Sequence, residues 1–80
     1  MSLRIITKPQ QIEQWITGRN GTPTRRRGTD KDFRILFGET VTEFEPVSLD
    51  ELLEGIKLNN LVMLVDEEPG KTFHKIYAHS

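Results

Sequence analysis

Eighty residues with 35% apolar and 29% charged side chains, six Gly, four Pro and no Cys describe one small globular domain, residues 1–80. A chain of this length buries only about 60% of its unfolded surface and has no room for a (β/α)8 barrel or a two-halved dinucleotide fold. The formal net charge of −1 hides a division: residues 1–37 sum to +5 and residues 38–80 to −6.

The absence of cysteine excludes disulfide staples and thiolate metal sites, and it leaves the cytoplasm as the expected compartment. At the start, Leu3, Ile5 and Ile6 fall short of the apolar stretch of a secretory segment, and the longest apolar run, Leu61 to Val65, is far below the roughly 20 residues of a membrane span. Thr7-Lys8-Pro9-Gln10 has the T-x-x-Q form of a capping box with proline in the first turn, and Ile12, Trp15 and Ile16 follow at helical spacing. The pattern predicts a helix over 8–17, closed by Gly18 as a left-handed residue. Turn chemistry fills Arg19-Asn20-Gly21-Thr22-Pro23.

Residues 24–27 read as a short edge strand, and residues 28–32 as the turn that reverses it. Phe33, Ile35 and Phe37 share one face at period two, with Leu36 apolar on the other, which predicts an inner strand over 33–37. The next strand, 40–47, ends at Pro46 and is thereby restricted to an edge. Ser48-Leu49-Asp50-Glu51 is an S-x-x-E capping box, and Leu49, Leu52, Leu53 and Ile56 give the apolar stripe of a helix over 49–58. Gly55 weakens that helix by about 1 kcal/mol relative to Ala. Leu61 to Val65 reads as a central strand covered on both faces, residues 66–71 as a solvated hairpin loop, and residues 72–78 as a returning strand. On that last strand Phe73, Lys75 and Tyr77 oppose His74, Ile76 and Ala78. The expected fold is α+β, two helices packed on one largely antiparallel four- to five-stranded sheet in the order α-β-β-(β)-α-β-β.

Trp15, Arg19-Asn20-Gly21-Thr22-Pro23, Phe33-Arg34-Ile35-Leu36-Phe37, Val47-Ser48-Leu49-Asp50-Glu51-Leu52-Leu53 and Phe73-His74-Lys75-Ile76 together resemble a family of small uncharacterised bacterial proteins. The pattern of that family runs W…RGGxPA…LRIxF…ISWDEFF…LAFLY…RFxKLV. The resemblance spans about residues 12–77 and rests on core and turn positions, so it implies a shared fold and says little of chemistry. This chain departs from it at Leu49, Leu52 and Leu53, where the pattern has Trp and two Phe. Some members carry the label of a glucan branching enzyme, a chemistry that belongs to a barrel about three times this length.

Arg25-Arg26-Arg27, with Arg19, Lys31 and Arg34 nearby, is the densest run of one sign. Arginine forks suit phosphates, but a pI near 6.1 and a strand geometry that turns Arg26 away from Arg25 and Arg27 favour solvated or internally paired side chains. Trp15 belongs to a core stripe, with a surface contact as its other reading. His74 and His79, five apart, fall on opposite faces and do not form a ligand pair. No nucleophile motif, phosphate loop or metal-ligand spacing occurs, so no catalytic, cofactor or metal residue is assigned and the protein is not read as an enzyme. The expected function is a small non-enzymatic binding or accessory module acting on another protein, without membrane contact and with a homodimer as one form of association. The alternative is nucleic-acid binding through Arg25–Arg27. The candidate contact residues are Arg19, Arg25, Arg26, Arg27, Arg34 and Trp15.

Overall fold

A computed structural model of the chain describes residues 1–78. Its elements are β1 (Leu3–Ile6), α1 (Pro9–Thr17), β2 (Thr22–Arg26), β3 (Phe33–Leu36), β4 (Phe44–Pro46), α2 (Leu49–Leu58), β5 (Leu61–Asp66) and β6 (His74–Ala78). The class is α+β, but the single expected sheet is two antiparallel three-stranded sheets, ordered β1-β5-β6 and β3-β2-β4. Two things divide it. Residues 3–6 form a strand that pairs with β5 from Leu3 opposite Asp66 to Ile6 opposite Met63. At the junction of the two sheets, where β3 meets β6, the Ile35 amide donates to the His74 ring at 3.0 Å, so a side chain stands where a ladder bond would form.

This arrangement reverses two strand positions. Residues 22–26 lie at the centre of the second sheet, not at an edge, because β3 and β4 pair with opposite sides of β2. Its central residue, Thr24, is 1% exposed and its hydroxyl donates to the Arg34 carbonyl at 2.7 Å. Accordingly β3 is an edge strand, not an inner one. The strand expected over 40–47 shrinks to three residues ending at Pro46, and it is an edge as proline requires.

Helix α2 begins and ends where its stripe predicts, and Ser48 Oγ accepts the Glu51 amide hydrogen at 3.0 Å. Helix α1 starts differently. Pro9 takes the first helical position, which makes Lys8 the N-cap, and no side chain caps it; Thr7 stands one residue too early. Its exit also differs, since Gly18 is right-handed at φ −65° while Asn20 takes φ +55°. The Asn20 amide bonds the Thr17 carbonyl at 3.2 Å and the Gly21 amide bonds the Ile16 carbonyl at 2.9 Å, the two closing bonds of a Schellman turn. Gly21 is needed there for space, because a Cβ would lie 2.6 Å from Ile35 Cγ2.

The core joins Ile12, Trp15 and Ile16 of α1 and Leu52 and Ile56 of α2 to Ile6, Met63 and Val65 of the first sheet and Phe33 and Ile35 of the second. Leu52 is fully buried, and Leu53 packs on the cluster from its margin. Gly55 has a reason to interrupt α2: Phe33 lies so close that a Cβ would fall within 2.6 Å of its Cε2. Strand β5 is central as expected, with Met63 and Val65 facing the helices.

Candidate functional site

Five of the candidate contact residues prove to be engaged within the chain. Arg25 Nη2 and Arg27 Nη1 share the Glu45 carboxylate at 3.5 and 3.1 Å, and Arg26 Nε pairs with Asp32 at 2.6 Å. Glu45 belongs to β4, opposite Arg25, so strand register brings the two charge halves of the sequence together. Arg19 is more deeply committed. Its guanidinium donates to the carbonyls of Trp15, Asp66, Glu67, Glu68 and Lys71 at 2.6–3.3 Å and lies 4.6 Å from the Trp15 ring centre. Trp15 is itself 6% exposed, and its Nε1 donates to the Asp66 carbonyl at 2.9 Å. Arg34 differs from the others: it is exposed, has no carboxylate partner among the described residues, and rests 4.7 Å over the Phe44 ring, which Arg26 also covers at 5.0 Å.

Asp66 departs from the expected solvated loop. Its side chain is buried and accepts the backbone amides of Ser2 and Glu68 at 3.2 and 3.0 Å, and these bonds hold its carboxyl below the ordinary carboxylate range. The Glu39 carboxylate is lowered chiefly by the bond it accepts from the Phe37 amide. His74 packs against Trp15 and Phe37 with ring centres 5.7 and 5.8 Å away. Burial, reinforced by the Arg34 charge, pushes its pKa below the ordinary histidine value. His79, the other histidine, lies outside the described residues. Among the described residues no group of three or more His, Asp or Glu side chains is placed to hold a metal ion.

The two sheets differ on the side away from the helices. On the second sheet, Leu36 and Phe44 point outward yet are 8% and 5% exposed, and residues 38–41 line a hollow of about 280 Å³ beside them. On the first sheet the middle of the outer face is buried and its flanks are exposed. Ladder alternation places Leu3 and Ile5 of β1, Val62, Leu64 and Asp66 of β5, and Lys75 and Tyr77 of β6 on its outer face, with Phe73 just before β6 and Asp66 between Leu3 and Phe73. Leu3, Ile5 and Phe73 are 47%, 52% and 49% exposed. Strand β5 itself is covered on both faces as expected, with Val62 7% exposed, Asp66 4% exposed and Leu64 half-buried on the outer side, so the exposed apolar surface lies on its flanks. The alternation of Phe73, Lys75 and Tyr77 was visible in the sequence; the strand at residues 3–6 that completes the face was not.

No family model, curated protein or solved structure matches the chain, so the resemblance described above rests on its quoted residues alone.

Proposed function

We propose that the protein is a small non-enzymatic module that binds another protein through the outer face of its β1-β5-β6 sheet. The observation that carries this reading is the exposure of Leu3, Ile5 and Phe73 on a sheet whose other face already packs on both helices. Exposed apolar side chains with charged residues around them are a usual mark of a protein contact. The chemically active side chains support the same reading. Both His74 nitrogens face backbone groups and the Asp66 carboxylate is spent on two amides, so neither is poised for proton transfer. The arginines that carry the nucleic-acid alternative are held by Glu45, Asp32 and loop carbonyls.

The test is affinity capture from the native cell extract with wild type and with Ile5→Glu, a half-exposed position whose change leaves the core intact. A partner retained by the wild type and lost by the folded variant is the expected result. Equal retention by both proteins excludes this face as the contact.

A further inference from the structure

We infer that the partner is held at the open edge of β1, where an extended segment of another protein, apolar at alternate positions and acidic among its polar ones, adds an antiparallel strand to the β1-β5-β6 sheet. The inference rests on the contact surface proposed above and names the kind of partner it takes. The backbone carries it. The Glu67 amide donates to the Ser2 carbonyl, so Ser2, Arg4 and Ile6 turn their backbone groups toward β5, and Leu3 and Ile5 turn theirs away. No partner among the described residues meets the N–H or C=O of Leu3 or Ile5. Two donors and two acceptors thus stand at the alternate spacing that an added strand matches.

The other strand edges are engaged. In β4 the register with β2 turns Phe44 and Pro46 outward, but the Phe44 amide donates to the Val41 carbonyl at 3.0 Å and Pro46 has no amide hydrogen. On β3 the Ile35 amide goes to His74 and the Phe37 amide to Glu39. Strand β6 turns its free edge toward β3 at the junction of the sheets. Folded proteins blunt edges in these ways against pairing with other chains, and β1 has none of these guards.

Side chains fix the chemistry of the added strand. Leu3 and Ile5 are 47% and 52% exposed on the outer face, and residues directly opposite them in an added strand share that face, so apolar side chains there bury both. The charges of residues 1–8 are the N-terminal ammonium, Arg4 and Lys8, with no acid among them. Glu68 and Glu67 meet the first two, while Lys8 has no carboxylate partner among the described residues. An acidic strand complements this edge, whereas a second copy of β1 brings only like charge to it.

The probe is the capped peptide acetyl-Glu-Val-Thr-Val-Thr-Val-Glu-amide, titrated into the isotope-labelled protein to about 2 mM, a concentration that reports weak contacts. The amide signals of Leu3 and Ile5 are expected to shift most, and their hydrogen exchange to slow at least tenfold. In an antiparallel pair the Val amides face β1 and the Thr amides face away. N-methylation of the Val amides is therefore expected to abolish binding and N-methylation of the Thr amides to leave it. Ile5→Pro removes an outward donor without touching the β5 ladder, so it is expected to weaken binding at least tenfold, while Ile5→Val binds as wild type. A peptide that does not bind, or that binds equally with its Val amides methylated, overturns the inference. Self-association in the absence of peptide that Ile5→Pro abolishes assigns the edge to a second copy and overturns the acidic partner. The proposed contact face is judged separately in the cell extract: loss of retention with Ile5→Glu but not with Ile5→Pro keeps the face and rejects the edge, and unchanged retention with Ile5→Glu excludes the face itself.

Discussion

His74 Nε2 accepts the Ile35 amide hydrogen at 3.0 Å while Nδ1 lies 3.0 Å from the Thr72 carbonyl. An amide can only donate and a carbonyl only accept, so the ring is neutral with its proton on Nδ1. One imidazole thereby closes the open edge of β3 and ties the second sheet to the first. Glu39 caps the next outward amide of the same edge, that of Phe37. Both side chains protect β3 from pairing with another strand.

The first prediction follows from that geometry. Burial and the Arg34 charge hold the ring's pKa below the ordinary value, and protonating Nε2 would also set a donor against the Ile35 amide, so the folded state disfavours the charged ring. The unfolded chain then binds more protons than the native one on the acid side, and stability falls with falling pH. His74 contributes fully above about pH 6.5, its unfolded value, and its contribution declines as pH drops through the folded pKa. The lowered carboxyls of Glu39 and Asp66 add losses of the same sign further into acid. Urea midpoints measured from pH 8 to 4 are expected to decline from pH 6.5 downward, and His74→Gln to flatten the segment above pH 5.

Arg19 holds the β5–β6 loop by donating to five carbonyls, four of them at residues 66–71. A lysine keeps the charge but has no planar fork. Arg19→Lys is expected to cost about 1–3 kcal/mol in urea denaturation, as expected for loss of charge-assisted hydrogen bonds. Amide exchange at residues 67–71 is expected to quicken more than elsewhere; an unaltered loop refutes the anchoring role.

In isolation, Gly55→Ala gains helix propensity worth about 1 kcal/mol. Here the added Cβ meets the Phe33 ring. Overpacking of this kind costs about 1–3 kcal/mol, so the variant is expected to be no more stable than wild type and typically less. Combining it with Phe33→Leu is expected to recover part of the Gly55→Ala loss, a coupling that a double-mutant cycle reads directly.

Arg25 and Arg27 share Glu45 at the surface, and pairs so exposed contribute at most about 1 kcal/mol. Replacing both with Ala is expected to shift stability little. A single-stranded oligonucleotide in low salt is expected to bind wild type and the double variant alike. A salt-dependent loss of affinity in the variant would instead support the nucleic-acid alternative.

Local pattern determined the elements whose reasons are local. The stripe Leu49, Leu52, Leu53 and Ile56 behind a Ser48 cap specifies α2 to the residue, because spacing and cap act within a few positions. Pro46 marked an edge, and alternation put Phe73, Lys75 and Tyr77 together on one face of the last strand. The division into two sheets was decided elsewhere. It depends on His74 reaching Ile35, 39 residues away, and on residues 3–6, too short a strand to declare itself, finding β5. The sequence favoured solvated or internally paired side chains for the Arg25–Arg27 run without fixing the partner, because Glu45 becomes its neighbour only through the pairing of β2 with β4. Trp15 and Arg19 carried interface-type side chains, yet both are spent on the backbone around Asp66. Periodicity records which face a side chain takes; which backbone group it then meets across the fold is fixed only when distant strands come together.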